Sequence, residues 1–150
     1  MIRQAKKEDS QTIWQIRNHS LTRKKSHNQK EIDLRNHNNW FIDKYLQNKD
    51  NYCFVLENKN GKVVGYCRLD SDGDKNYTIS IAIDPNYHKK GLGAKLLRES
   101  LREVKKIKKD AVVLAEIKKD NIPSIKLFEK CNFYPYKKYN KNLYYKYKNE

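Results

Sequence analysis

The stretch "IDPNYHKKGLGAKLL", residues 83–97, joins the end of an apolar, strand-like run to the start of a helix-like one. Between them lie Gly91 and Gly93, behind the basic pair Lys89 and Lys90. A strand that turns directly into a helix aims several backbone N–H groups at one point. The helix dipole adds positive potential there, so an anion is stabilised without any side chain. Glycine has no Cβ to keep a phosphate away from the backbone. The same spacing also serves as an economical exit from a sheet with the lysines solvated, since short glycine motifs recur by chance. It is not a GxxxxGK[ST] loop, and without a third glycine it is not a dinucleotide fingerprint. Proton acceptors are named by residue type alone: Asp70, Asp72, His37 and His88. The carboxylates fall in "DSDGD", whose composition is that of a solvated turn. Tyr134 and Tyr136 carry donatable protons and equally suit packing at a strand edge. Cys53, Cys67 and Cys131 are odd in number and widely spaced, which suits reduced thiols; no CxxC pair or His/Cys cluster suggests a metal.

The elements that position these groups follow from hydrophobic period. Residues 2–5 read as a short first strand. Ile13, Trp14 and Ile16 predict a helix over 7–18, with Asp9 or Ser10 as its cap. Residues 19–32 have no clear period and read as loop. A second helix over 33–46 places Trp40, Phe41, Tyr45 and Leu46 on roughly one face. The period then changes. "NYCFVLEN", "GKVVGYCRLD" and "NYTISIAID" are rich in β-branched and aromatic residues, and Asn60-Gly61 and "SDGD" supply turns between them. That is a three-strand antiparallel meander. Leu92, Leu96, Leu97, Leu101, Val104 and Ile107 recur at helical spacing, and the run ends in lysines that complement a helix C-terminus. "AVVLAEI" has the continuous apolar character of a buried strand. A further helix covers 121–131, and the tail supplies one or two last strands. The order predicts one domain over residues 1–150, of the α+β class, around a mixed central sheet.

The chain has 150 residues, enough to bury a core, and 17 aromatic residues that favour collapse. No apolar run reaches the length of a membrane span, and "MIRQAKKEDS" has no apolar leader segment, so a cytoplasmic setting without membrane partners is expected. The net charge of +15 comes from 26 lysines and only 7 arginines. Base reading and bidentate phosphate recognition favour arginine, which counts against nucleic acid and leaves small polyanions as partners.

The run His88–Gly93 resembles the [Q/R]xxGx[G/A] signature of the GNAT acetyltransferases, and "AEIKKDNIPSIKLFEKCNF" is similar to that superfamily's second signature. Together they cover about residues 79–134, with a helix and a strand between them. The resemblance implies a GNAT fold, with a mixed, mostly antiparallel central sheet of six to seven strands flanked by about four helices. It implies acetyl-CoA as acetyl donor. The amides of His88, Lys89, Lys90, Gly91, Leu92, Gly93 and Ala94 would take its pyrophosphate. Ile81, Ala82 and Ile83 would splay from the neighbouring strand and offer backbone groups to pantetheine and the acetyl oxygen. Asn121, Ser124 and Phe128 would complete the cofactor site, Asn121 also serving as a helix N-cap. His88 stands where Gln or Arg is usual. Phe128 stands where many members carry a tyrosine that protonates the leaving thiolate, so no catalytic residue is assigned, with Tyr134 and Tyr136 as weak substitutes. Transfer needs a neutral amine, a polarised thioester carbonyl and a departing thiolate, without a covalent enzyme intermediate.

The front half resembles the bacterial subgroup that acetylates nucleotide-linked amino-sugars, of the pseudaminic-acid type. The resemblance rests on Arg17, Asn18, Ser26, His37 and Trp40 as acceptor residues. An arginine can fork onto a diphosphate, and Trp or His can stack on a sugar or base. The expected acceptor is therefore a small-molecule amine, namely a UDP-4-amino-sugar, with a homodimer left open. Two other readings stand beside it. One is a peptide or protein N-acetyltransferase of the RimI-like type. The other is a non-catalytic CoA- or RNA-binding module using the tyrosine-rich tail, unless those tyrosines alternate in and out of a sheet.

Overall fold

A computed structural model describes residues 1–149. Seven strands form one sheet: β1 (Ile2–Gln4), β2 (Tyr52–Glu57), β3 (Val63–Ser71), β4 (Asn76–Ile83), β5 (Val112–Lys118), β6 (Phe133–Tyr139) and β7 (Asn142–Tyr147). Their order is β1-β2-β3-β4-β5-β7-β6. Every neighbouring pair is antiparallel except β4 with β5. The meander is present as expected, with Gly61 at φ 79° in its first turn, the left-handed region glycine enters freely.

Among the described residues five α-helices flank the sheet: α1 (Ser10–Asn18), α2 (Ser20–Lys25), α3 (Leu34–Phe41), α4 (Leu92–Ile107) and α5 (Ile122–Lys130). The segment 19–32 is therefore not all loop, since α2 lies within it, and the sheet with its flanking helices is the expected fold. Helix α2 buries none of its residues, so it carries no apolar period to read. It is held instead by His19, whose Nδ1 accepts from the Leu21 N–H. The helix expected over 33–46 is capped by Asp33 and changes at Ile42 into a π-helical segment, Ile42–Gln47.

The sheet has a core on each face. On one, α4 and α5 cover Phe54, Cys67, Leu69, Tyr77, Ile79, Val113, Ala115, Ile117 and Tyr145. On the other, Ile13 and Ile16 of α1 and Phe41 of α3 cover Val55, Val63 and Tyr66. Strand β5 alternates rather than being buried throughout: Val113, Ala115 and Ile117 face the first core while Glu116 is exposed on the opposite face. The tail also alternates. Tyr145 is core, Tyr147 packs against Phe133, and Tyr144 on the other face donates to Glu116. Those three tyrosines have structural partners, whereas Tyr136 and Tyr139 of β6 are exposed. No helix among the described residues is long and apolar enough to cross a membrane.

Gly65 marks the tightest packing between the meander and α4. A Cβ there would lie 2.6 Å from Ile83 Cδ1, 3.1 Å from the Ala82 carbonyl oxygen and 3.3 Å from Leu96 Cδ2. Gly65→Ala should therefore lower stability by roughly 1–3 kcal/mol through overpacking, read as a lower urea midpoint at unchanged slope. An unchanged midpoint would mean that β3 and β4 slide apart at little cost.

Candidate active site

A cavity of about 690 Å³ opens where β4 and β5 part. The two strands pair only over Asn76–Thr78 and Val112–Leu114. Beyond that rung, Ile79–Ile83 and Ala115–Lys118 line the two sides of the opening. The expected splay at Ile81, Ala82 and Ile83 is thus present. Behind it the N-terminal end of α4 packs on α5, with Gly93 so close to Leu127 that an added Cβ would lie 3.3 Å from its Cδ2.

At one end of the cavity is the turn that leads into α4. Lys89 and Gly91 adopt positive φ, 64° and 74°, which re-aims successive N–H groups. Those groups and the unpartnered N–H donors of the first turn of α4 form a concave positive site for an anion. Nothing lies within 4 Å of a Cβ built at Gly91, so its requirement for glycine is conformational. His88, Lys89, Gly91, Leu92 and Gly93 line the cavity. Lys90 does not; its Nζ lies over the Tyr87 ring at 5.6 Å. Ala94 is buried in the core under the turn. The His88 ring donates from Nε2 to the Ile83 carbonyl at 2.9 Å, which ties the turn back to the strand.

Asn121 caps α5 by accepting from the Ser124 N–H at 3.3 Å, with Pro123 in the first turn. Asn121, Ser124 and Phe128 all line the cavity. Phe128 is buried edge-on against Phe133 and has no proton to donate. Tyr134 and Tyr136 are exposed on β6, an edge strand, and do not line the cavity. The three cysteines are buried and free, and none lines it.

The other end of the cavity is built from the front segment, β3 and β5. Of the five residues expected there, the structure brings Arg17 and Ser26 to the cavity. Asn18 instead accepts from the Ile32 N–H at 2.7 Å while the Trp14 indole donates to the Ile32 carbonyl at 2.8 Å. These two bonds moor the front loop to α1. Two guanidiniums lie over the Trp40 ring, Arg17 Cζ at 4.0 Å and Arg68 Cζ at 5.2 Å from its centroid. His37 is fully buried behind it, with Nε2 donating to the Ser10 carbonyl at 3.0 Å and Nδ1 facing Arg17 Nη1 at 3.3 Å. Trp40 and His37 thus hold Arg17 in place rather than lining the cavity. Of the base candidates, Asp70 is occupied by Tyr45, Lys44 and Arg68, and Asp72 lies in the exposed turn after β3.

Arg68, Tyr66, Glu116 and His27 line the cavity and carry no local sequence signal. Burial works against the charge of Arg68, but Tyr45, Tyr66 and Asp70 more than offset it and hold the guanidinium above its ordinary pKa. Its Nη1 donates to the Tyr45 hydroxyl at 3.0 Å, whereas Nε is buried without a partner. Burial lowers the pKa of Arg17. The acceptor end is therefore rich in positive charge.

Residues 11–133 match the model of the acetyltransferase (GNAT) family. The L-methionine sulfoximine/L-methionine sulfone acetyltransferase of Salmonella typhimurium is 31% identical over 88% of this chain and 78% of its own length. The N-alpha-acetyltransferase of Sulfurisphaera tokodaii is 28% identical over 63% of each chain. Among solved structures, yncA from Salmonella typhimurium with its cofactor acetyl-CoA superposes with a TM-score of 0.78 at 28% identity, covering 97% of this chain and 90% of that one.

His37 gives the front of the site a pH signature. Burial, assisted by Arg17, pushes its imidazole down to about 4. The free residue titrates near 6.5, so protonation favours the unfolded chain. The stability contribution is complete above pH 6.5 and is lost as pH falls from about 6.5 toward 4. In urea titrations across that window, His37→Gln should show a flatter pH dependence than the wild type. Parallel curves would mean that His37 takes up its proton without unfolding.

Proposed function

This chain belongs to the acetyltransferase (GNAT) family and is an acetyl-CoA-dependent N-acetyltransferase; from that premise we propose that its acceptor is a small amine of amino-acid type that also carries a negative charge. The observation that carries the proposal is the guanidinium pair Arg17 and Arg68, both lining the acceptor end and both packed on Trp40. An acceptor carboxylate would complete their hydrogen bonding, and a charge-assisted bond of this kind adds specificity as well as energy. The relative named for L-methionine sulfoximine, an amino-acid analogue, supports the same class. The cavity's shape favours a small molecule over an extended peptide. His27 reaches across from the front loop to within 3.9 Å of Glu116 on β5, narrowing that end.

On the donor side, the turn from His88 to Gly93 would receive the pyrophosphate, and Asn121, Ser124 and Phe128 would flank the pantetheine arm between the parted strands. Beyond Thr78 the edge of β4 that faces β5 has no ladder partner there and lies toward the place where the thioester carbonyl would lie, and a preorganised amide on that edge would stabilise a developing oxyanion by about 3 kcal/mol. A nucleotide-linked amino-sugar is the second reading. It is favoured by Arg17 and Lys25 lining one mouth, where two cations could share a diphosphate.

Acetyl-CoA-dependent mass gain should appear with L-methionine sulfone or other amino acids, and be absent with a UDP-4-amino-4,6-dideoxy-sugar and with N-terminal peptides. Gain on the sugar alone would establish the second reading, and gain on peptides alone would refute both. Arg17→Gln removes the charge together with the guanidinium that lies over Trp40. It should raise the acceptor KM about tenfold or more with little change in kcat, as loss of one ionic hydrogen bond implies. Gly91→Val should weaken acetyl-CoA binding at least tenfold in calorimetry, because a β-branched residue cannot hold φ 74° without strain. Retained affinity would remove the turn from the cofactor site.

A further inference from the structure

We infer that Glu116 is the catalytic base, the group that accepts the acceptor amine's proton; this rests on the acetyl-transfer reading of the site but not on which amine is transferred to. Arg68 on β3 pairs in register with Ser80 on β4. Thr78 on β4 pairs with Leu114 on β5, so Ser80 and Glu116 lie two residues further along each strand, in the first row past the last rung. Side chains alternate along a strand, which puts Arg68, Ser80 and Glu116 on one face, the face covered by the front segment. The row crosses the opening itself. With strands about 4.8 Å apart and β5 splayed, Arg68 and Glu116 stand about 10 Å or more apart at their backbones, the span of a small acceptor.

Glu116 is the one carboxylate among the described residues that lines the cavity. Its companions there include Arg17, Lys25, Arg68, Lys89 and Lys118. An incoming ammonium is repelled by all of these and attracted by Glu116 alone. The carboxylate is also oriented. Oε1 accepts from the Tyr144 hydroxyl at 2.7 Å and from Asn142 Nδ2 at 3.1 Å, both on β7. Oε2 faces His27 Nε2 at 3.9 Å, beyond hydrogen-bond distance, and so keeps its acceptor capacity.

The step balances as follows. The nitrogen gives one proton to Glu116 Oε2, and its freed lone pair attacks the thioester carbonyl carbon. The C–N bond forms, the C–S bond breaks, and the electron pair leaves on the CoA sulfur. The nitrogen's second proton ends on that sulfur, and the proton on Glu116 passes to solvent beside the exposed His27.

Glu116→Gln separates this role from a structural one, because the amide oxygen still accepts from Tyr144 and Asn142. The substitution should lower kcat/KM for the acceptor by about 100-fold or more, the usual contribution of a general base. The acetyl-CoA Kd and the thermal midpoint should stay as in the wild type. In Glu116→Ala, added formate should restore part of the turnover. The assay uses L-methionine sulfone, or the sugar or peptide if the panel above selects one of those. In that case the amino-acid reading fails while Glu116 is still tested. Turnover within about threefold of the wild type in Glu116→Gln would overturn the inference. So would a parallel loss of acetyl-CoA binding, which would make Glu116 a structural staple. An absence of turnover with every amine overturns both readings.

Discussion

Between β4 and β5 the ladder stops after three residue pairs, the last being Thr78 with Leu114. In the middle of a sheet this is costly, since each buried N–H or C=O left without a partner forfeits about 1–3 kcal/mol. The strands are held apart from behind, where α4 and α5 meet through Gly93 and Leu127. On the other side of β4 the pairing with β3 is unbroken as far as Ile83 with Gly65. One edge of β4 is thus fixed, and the other is presented to whatever enters the gap. A ligand with an amide-bearing arm would replace the missing ladder. The turn after β4 and the cap of α5 lie at the ends of the two parted strands, and both line the same opening.

That geometry explains why half of the site was legible in the sequence and half was not. The donor side is nearly continuous in the chain. Strand end, turn and helix start occupy residues 79–93, and a second short run follows from Asn121. Local backbone chemistry leaves such a turn open between an anion site and a plain exit from the sheet, and it is the resemblance of both runs to the family's signatures that singles it out. The meander was legible from residue type, each of its turns being spelled by Asn, Gly or Asp. The acceptor side is assembled from Arg17, His27, Arg68 and Glu116, which come from four separate segments. No spacing rule links them. Glu116 was read inside "AVVLAEI" as part of a buried run, and only the alternation of β5 turns it toward the gap.

The misplaced acceptor residues have a physical reason as well. Trp40 and His37 enter through the resemblance to the amino-sugar subgroup, where a ring can stack on a sugar, but the same property lets a ring pack on protein cations. In the fold, Trp40 is flanked by Arg17 and Arg68, and the neutral His37 accepts from Arg17. Residue type cannot distinguish the two uses, whereas burial can. Asn18 is similar: its amide looked like a ligand-binding group and is spent on the Ile32 backbone. Helix α2 escaped notice because it buries nothing, and a periodicity argument sees only faces that are buried.

Phe128 shapes where the chemistry must be done. Its ring is packed edge-on against Phe133, and it has no proton to give the sulfur. A thiolate is a modest base, with the free thiol titrating near 8.5, and it can leave without a donor held in place. The amine is the harder partner, because it arrives protonated and is unreactive in that form. The demand for proton handling therefore moves from the leaving group to the nucleophile, across the gap from α5 to the face of β5 that carries Glu116. On that face Tyr144 and Asn142 fix one carboxylate oxygen and leave the other toward the cavity. The tyrosine-rich tail thus supplies, from β7, the hydrogen bonds that orient Glu116.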